Sequence, residues 1–280
     1  MVDGARAGQK PDRLLVFDVD GTLVDNSRVI RPRVVRAIRA AVARGIPAAI
    51  CTGRLLASVR GYFDELGLVG PQIACDGALA KDPATGQVIL RNGPDAEALT
   101  ETLAFGRAHG ICFELYLEEL YYVERDCAES AVHSELIGVW PEIGDIVALL
   151  KSDQLVKGQL IPSSPRQVEL CQSFFPRVAG RLRFSWAKPP PGFAPIDFIN
   201  IVSPMVDKGE ALRALATHYG VPIERTIAVG DGTNDLPLLR AAGLGIAMGN
   251  SAEEVLREAD AITESVDHDG LALAIEKYLL

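Results

Sequence analysis

The stretch Leu14-Leu15-Val16-Phe17-Asp18-Val19-Asp20-Gly21-Thr22-Leu23-Val24 decides the fold. Four apolar residues in a row, closed by a turn signal, read as a buried strand of a parallel sheet. Two carboxylates, Asp18 and Asp20, stand one residue apart at its carboxyl end, followed at once by Gly21 and Thr22. A core strand has no need of acids there. A binding site does, because open α/β sheets take ligands outside the carboxyl ends of their strands. With only Val19 between them and the chain turning, both carboxylates can line one crevice. Taken alone, the same residues also suit a polar strand end and an ordinary Asp-Gly turn.

Outward from this stretch the pattern repeats. Pro32 to Arg44 is helical, with Val35, Ile38 and Val42 at helical spacing and Gly45 as the stop. A second apolar strand, Ile46 to Cys51, runs into Thr52-Gly53-Arg54. A further helix carries Val59, Phe63 and Leu66 on one face and ends at Gly67. A third strand, Gln72 to Cys75, ends at Asp76-Gly77. Strand, helix, strand, helix, strand is the alternation of a parallel sheet. The pattern resumes from Phe198. Asp207 caps a helix to Tyr219, and Gly220 ends it. The strand Thr226 to Val229 breaks at Gly230-Asp231-Gly232-Thr233-Asn234-Asp235, and a short helix follows to Ala242. Gly243 to Met248 is another strand. Ser251 and Glu254 suggest a capping box. Ala261 to Thr263 and a helix over Leu271 to Leu279 close the chain.

Between about Lys81 and Asp197 the strands carry more charge and come in pairs. Ile111 to Leu117 and Leu120 to Glu124 flank Glu118-Glu119 as a hairpin. Gln87 to Arg91, Val156 to Ile161 and Arg181 to Trp186 read as further strands. Helices are expected near Asp95 to His109 and near Ser164 to Phe175, the second with Ser164 as cap and Pro165 in its first turn. Alternating polar and apolar positions suggest a sheet with helices on one face and the other face open. The expected fold class is α/β: a doubly wound parallel-sheet core over 1–80 and 200–280, with an α+β domain inserted over 81–199. Residues 1–13 read as a loose tail, and Lys188-Pro189-Pro190-Pro191-Gly192 as a stiff loop.

Composition bounds the function. The 280 residues suit two domains or one large one. A net charge of −9 argues against nucleic acid or an anionic membrane as the main partner. No apolar run approaches the roughly 20 residues that span a bilayer. The five cysteines, at 51, 75, 112, 127 and 171, show no C-x-x-C spacing and read as reduced thiols of a cytoplasmic protein. The four histidines are scattered, which gives a histidine metal site or a Ser-His-Asp triad little support.

Four groups gather at strand ends or helix starts of the parallel part: Asp18 with Asp20, Thr52, Lys208, and Asp231 with Asn234 and Asp235. Singly, Thr52 suits a helix cap, Lys208 a solvated first-turn residue and Asp231 to Asp235 a polar loop. Together they suit a phosphoryl site. Acids from two strand ends can hold a hard cation such as Mg²⁺. A hydroxyl and an ammonium suit phosphoryl oxygens. One carboxylate can act as nucleophile and a neighbour can exchange a proton.

In these motifs the chain resembles the haloacid dehalogenase-like (HAD) hydrolases, specifically the Cof-type phosphatases with a subclass IIB cap. Asp18-Val19-Asp20-Gly21-Thr22-Leu23 is similar to the first family motif and Thr52-Gly53-Arg54 to the second. Lys208-Gly209 and Gly230-Asp231 through Asn234-Asp235 are similar to the third and fourth. Ala247-Met248-Gly249-Asn250 and Asp269-Gly270 also resemble this subgroup. The resemblance implies that Asp18 attacks phosphorus and that Asp20 protonates the leaving oxygen and then activates water. It implies that Thr52 and the Gly53 amide hold phosphoryl oxygens and that Lys208 offsets the charge between Asp18 and phosphate. Asp18, the Asp20 carbonyl oxygen and Asp231 are the implied Mg²⁺ ligands, with Asn234 and Asp235 orienting phosphate or metal waters. Arg54 could reach a second anionic group of the substrate or pair with a core acid. An acid at position 20 separates this chain from the dehalogenases, and Val19 from the ion-pumping ATPases, whose nucleophile is followed by Lys.

Asp76, Asn200 and Met205 depart from the family pattern, where Asn, an acid and Gly are usual. The implied activity is hydrolysis of small phosphorylated metabolites, such as sugar phosphates or phosphorylated cofactors, by a monomer or homodimer. A phosphosugar mutase and a non-catalytic phosphate-binding regulatory module are the alternatives. Glu114, Tyr116 and Tyr122 on one pair of strands, and Lys157 and Gln159 on another, are candidate specificity residues of the inserted domain.

Overall fold

The computed structural model describes residues 11–189 and 196–280. Residues 1–10 of the expected tail and 190–192 of the expected proline-rich loop lie outside them. In chain order the elements begin with β1 (Leu14–Phe17), α1 (Pro32–Ala43), β2 (Ala48–Ile50), α2 (Leu56–Leu66), β3 (Gln72–Ala74), β4 (Leu79–Lys81) and β5 (Val88–Arg91). Next come α3 (Ala96–His109), β6 (Cys112–Leu117), β7 (Tyr121–Val123), α4 (Ala128–Ile137), β8 (Glu142–Ile143), α5 (Ile146–Leu149), β9 (Leu155–Ile161), α6 (Pro165–Phe174), β10 (Arg183–Ala187) and β11 (Phe198–Val202). The chain closes with α7 (Lys208–Tyr219), β12 (Thr226–Gly230), α8 (Leu236–Ala241), β13 (Leu244–Ala247), α9 (Glu253–Glu258), β14 (Ala261–Ile262) and α10 (Gly270–Tyr278).

The chain divides into two compact units. Of the described residues, one holds 11–53, 59–90 and 207–280, and the other 54–58, 91–189 and 196–206. The sequence reading places its boundaries at 80/81 and 199/200.

The first unit is built on a five-stranded parallel sheet in the order β14-β13-β12-β1-β2. From β1 the chain winds outward to β2, and from β12 it winds the other way to β13 and β14. The order therefore reverses between β1 and β12, which is where an open α/β sheet leaves a crevice at its carboxyl end. Alternation along β1 sends Leu14 and Val16 to one face, where they join Ala228, Leu212, Leu215, Leu238 and Leu239 in one apolar cluster with α7 and α8. Elsewhere α1 packs on α10, tied by Arg33 to Glu276 at 2.6 Å. The expected third parallel strand, β3, meets the end of β2 through a parallel Cys51–Ile73 bridge, the Thr52 amide on the Ile73 carbonyl and the Ile50 amide on Gln72 Oε1, and its ladder is with β4, antiparallel.

The second unit is a six-stranded sheet in the order β10-β11-β9-β6-β7-β8, antiparallel except for β7 with β8. Phe198–Val202 belongs here, paired antiparallel with β9 and β10, and does not resume the parallel sheet. It is apolar on both faces, as a central parallel strand is, so its periodicity carries no information on which sheet it joins. One face packs on α3 and α6 through Leu99, Leu103, Phe113, Leu160, Cys171 and Phe174. The caps Ser164 and Asp207 accept the expected bonds from Gln167 and from both Gly209 and Glu210, and Asp95 caps α3 in the same way on the Ala98 amide.

Four other expectations are corrected. The opposite face of the second sheet is covered: α4, which the sequence reading leaves out, lies on it, and Glu114, Tyr116, Lys157 and Gln159 are buried there. Tyr122 pairs with Leu115, so it shares the apolar face and not the face of Tyr116. Ala252, not Ser251, precedes α9, and the buried Ser251 hydroxyl has no hydrogen-bond partner among the described residues. Cys112 and Cys127 form a disulfide, because the start of β6 and the start of α4 meet although 15 residues apart, while Cys51, Cys75 and Cys171 are free and buried.

Candidate active site

The carboxyl ends of β1 and β12 meet at the reversal of strand order, and each carries an aspartate there. Asp18 follows β1, its amide donating to the Val229 carbonyl at 3.0 Å. Asp231 follows β12 on the neighbouring strand. The turn after Asp18 is closed by Leu23 and Val24 amides on the Val19 carbonyl. It needs Gly21, at φ +81°, where a Cβ would sit 2.2 Å from an Asp231 oxygen. That close approach brings the Asp18 loop against Asp231, and Thr22 seals it by donating its hydroxyl to Asp231 Oδ1 at 3.0 Å.

Lys208 joins the parts. It starts α7 and is 1% exposed, yet its ammonium donates to Asp18 Oδ1 at 2.7 Å, to Asp235 Oδ1 at 2.5 Å and to the Cys51 carbonyl at 3.2 Å. Burial alone would lower its pKa, but Asp18 and Asp235 outweigh that and raise it, so the ammonium stays charged. The second oxygen of Asp235 accepts the Asp231 and Gly232 amides at 3.1 and 2.9 Å. With both its oxygens engaged, Asp235 holds the loop and the lysine in place.

Among the described residues, Asp18, Asp231 and Asp235 offer carboxylate oxygens within 4.8 Å of one another. Three carboxylates face one ammonium, an excess of negative charge that the protein does not neutralise. Burial, followed by repulsion from Asp235, raises Asp18 well above the ordinary carboxylate range. Burial, followed again by Asp235, pushes Asp231 up to about 6. An all-oxygen set with surplus negative charge fits a hard divalent cation. Because Asp235 is already committed, Asp18 and Asp231 are the side chains best placed to hold it.

This has a measurable consequence. Folded Asp231 titrates above its unfolded value, so its contribution to stability is complete below about pH 4 and lost as pH rises through about 6. In the presence of a chelator, raising the pH across that window should cost on the order of 1 kcal/mol after allowance for partial exposure. Mg²⁺ should then raise the Tm more at about pH 7.5 than at about pH 5, since its ligands must be deprotonated. Thermal melts of wild type and Asp231→Asn check this, and equal Mg²⁺ effects at both pH values in wild type would refute it.

The remaining expected residues fall as follows. Asp20 is exposed at the start of the turn, bridged to Val24. Thr52 is buried at the end of β2, its amide on the Ile73 carbonyl and its carbonyl accepting from the Asp76 amide, both at 3.0 Å. Gly53 lies against Asp76: a Cβ there would be 2.9 Å from Asp76 Oδ1. Asn234 is exposed and donates to Asp76 Oδ1 at 3.2 Å. Asp76 adopts φ +59°, and its carboxylate thus links the Thr52-Gly53 and Asn234 loops. Arg54 belongs to the 54–58 stretch that groups with the second unit. Two supporting residues stand in the quoted motifs without an assigned role: Thr22, and Asn250, which donates to the Gly21 carbonyl at 2.9 Å and accepts from the Val266 amide.

A family profile described as haloacid dehalogenase-like hydrolase matches residues 15–275. The chain belongs to the haloacid dehalogenase-like hydrolases. Two of its relatives are from Bacillus subtilis strain 168. Phosphatase YwpJ is 29% identical over 279 residues, covering 93% of this chain and 97% of the relative. The 5-amino-6-(5-phospho-D-ribitylamino)uracil phosphatase YitU is 27% identical over 271 residues, covering 95% and 97%. A haloacid dehalogenase-like hydrolase of Bacteroides thetaiotaomicron matches in structure with a TM-score of 0.84 over 95% of this chain and 98% of that one; at 23% identity it speaks for the fold. Within the HAD hydrolases the chain is a Cof-type phosphatase, a phosphoric monoester hydrolase, with a parallel-sheet core and a second α+β domain. None of its described helices is long and apolar enough to cross a membrane.

Proposed function

We propose that this HAD hydrolase is a Mg²⁺-dependent phosphatase of small phosphorylated metabolites, working through an aspartyl-phosphate on Asp18. The observation that carries the reading is Lys208, buried and bonded to both Asp18 and Asp235 beside the Asp231 carboxylate. Phosphoryl transfer depends mainly on positioning and on spreading negative charge. Lys208 fixes one oxygen of Asp18 and leaves its carboxylate edge directed by a rigid strand end. Thr52 and the Gly53 amide hold phosphoryl oxygens, and Asn234 orients the group from the opposite loop. Asp20, exposed beside Asp18, gives a proton to the leaving oxygen and then takes one from the water that attacks phosphorus. Asp18, the Asp20 carbonyl oxygen and Asp231 would hold Mg²⁺, which would supply the charge neutralisation a phosphate dianion needs to approach these acids. The second unit is assigned to substrate choice. YitU acts on a phosphorylated ribitylaminouracil, and a sugar phosphate or a phosphorylated cofactor precursor is the substrate class proposed here.

Asp20→Asn gives the discriminating test. Loss of a general acid costs about 10²–10⁴-fold with an alkyl phosphate, whose leaving oxygen needs the proton. The cost should be much smaller for the first step with p-nitrophenyl phosphate, whose leaving group departs as an anion. Dephosphorylation still needs the base, so phosphoenzyme accumulates and is seen as added phosphoryl mass. Equal losses with both esters and no such mass would sink the assignment of Asp20.

A further inference from the structure

The second unit carries a covalent link that the phosphoryl chemistry does not use. Cys112 opens β6, Cys127 is the N-cap of α4, and their sulfurs are bonded. α4 is the helix that satisfies the buried polar face of the sheet. Its Ser130 donates to Glu114 at 2.6 Å, His133 Nδ1 lies 2.9 Å from the same carboxylate, and Ser134 bonds Tyr121 at 2.8 Å. Glu114 is wholly buried, so the seat of α4 decides whether a buried carboxylate keeps its donors. The buried side of α4 consists of Ser130, His133, Ser134 and Leu136. Leu136, with Val132 and Ile137, packs on Ile161 and Phe198, so apolar burial holds the later part of the helix while the disulfide ties its start.

Both half-cystines are half-buried. They line a cavity of about 600 Å³ together with Arg107, Glu124, Arg125 and Asp126. That volume is in the range that admits a small molecule. We propose that the Cys112–Cys127 bond is a site of reversible modification by low-molecular-weight thiols, reached through this cavity, and that opening it loosens α4 on the sheet. A thiolate attacks Cys112 Sγ, and the electron pair of the broken bond leaves on Cys127 Sγ. The unpaired amides at the start of the ten-residue α4 favour that thiolate. A second thiol attacks the outer sulfur of the mixed disulfide, and Cys112 departs as a thiolate. Both cysteine thiolates take up the protons lost by the two thiols. The protein gains two electrons, the two thiols become one disulfide, and excess of that disulfide drives the reverse. The proposal is independent of the phosphatase reading.

The test uses the full chain under native conditions. In protein isolated without reductant, iodoacetamide should leave Cys112 and Cys127 unlabelled. After reduced glutathione both should be labelled in protein that is still folded, and glutathione disulfide should restore protection. Reduction should lower the Tm by roughly 5–10 °C for a loop of this length and speed hydrogen exchange in α4. The Cys112→Ser/Cys127→Ser variant should melt with the reduced protein and ignore thiols. Cys127→Ser treated with glutathione disulfide should carry one glutathione, on Cys112. The proposal is overturned if all five cysteines prove unpaired on denaturing alkylation. It is equally overturned if glutathione opens the bond only in denaturant, or if α4 exchange in the double variant equals that of oxidised wild type.

Discussion

Asp18→Asn should lower phosphate-ester hydrolysis by about 10⁴-fold or more while leaving the fold intact. Asparagine is the same size and still offers Lys208 a carbonyl oxygen in place of Asp18 Oδ1. It cannot attack phosphorus as a carboxylate. The stability change should be opposite to the activity change. Burial and the neighbouring Asp235 both disfavour the charge on Asp18, so removing that charge relieves repulsion that Lys208 only partly offsets. In metal-free protein near neutral pH the Tm should hold or rise. The assay is hydrolysis of p-nitrophenyl phosphate and of a sugar-phosphate panel with Mg²⁺, beside a melt of each protein. A variant retaining a tenth or so of the activity would remove Asp18 as nucleophile. A variant that is inactive because it has unfolded would show in the melt.

The parts of this site that could be read from sequence are those with a fixed local geometry. An apolar strand ending in Asp18 or Asp231, and the cap Asp207 just before Lys208, announce themselves because strand ends and helix starts demand particular residues, as the cap Ser164 does in the second unit. What escaped reading depends on distant chain. α4 shows only a weak apolar stripe, since Ser130, His133 and Ser134 stand beside Leu136 on its buried side, and those polar residues make sense only against Glu114 and Tyr121. The Cys112–Cys127 pair has no spacing signature, because a hairpin and a turn bring it together. Phe198–Val202 looks like a core strand but is claimed by β9 and β10, since pairing is decided by which partner is left exposed and not by the strand itself. Asp76 reads as a departure from a family pattern. Only the positive φ at its position shows why a short polar side chain sits there, aimed at Asn234 and pressed on Gly53.

Lys208→Met tests the electrostatic centre from the other side, and here activity and stability should fall together. Methionine fills a similar volume without charge. It leaves Asp18 and Asp235, both buried, with no cation between them. Removing one partner of a buried pair typically costs about 3–5 kcal/mol, because the charge left behind is neither solvated nor paired. The pH dependence fixes the cause. In the variant Asp18 titrates above its unfolded value, since burial and repulsion from Asp235 act without the opposing ammonium. The folded state then binds more protons than the unfolded state. Stability is therefore fullest below the unfolded carboxylate range near pH 4 and is lost as pH rises through the higher folded value. Lys208→Met should thus be closest to wild type in mild acid and furthest from it near neutrality. Lys208→Arg should not restore activity, because a planar guanidinium does not fit a slot shaped for one ammonium with three short bonds. Adding Asp235→Asn to Lys208→Met should recover part of the stability at neutral pH and none of the activity, a coupling that a double-mutant cycle measures directly. If Lys208→Met melts with wild type at neutral pH, or if its deficit grows in acid, the ion-pair account of this site is wrong.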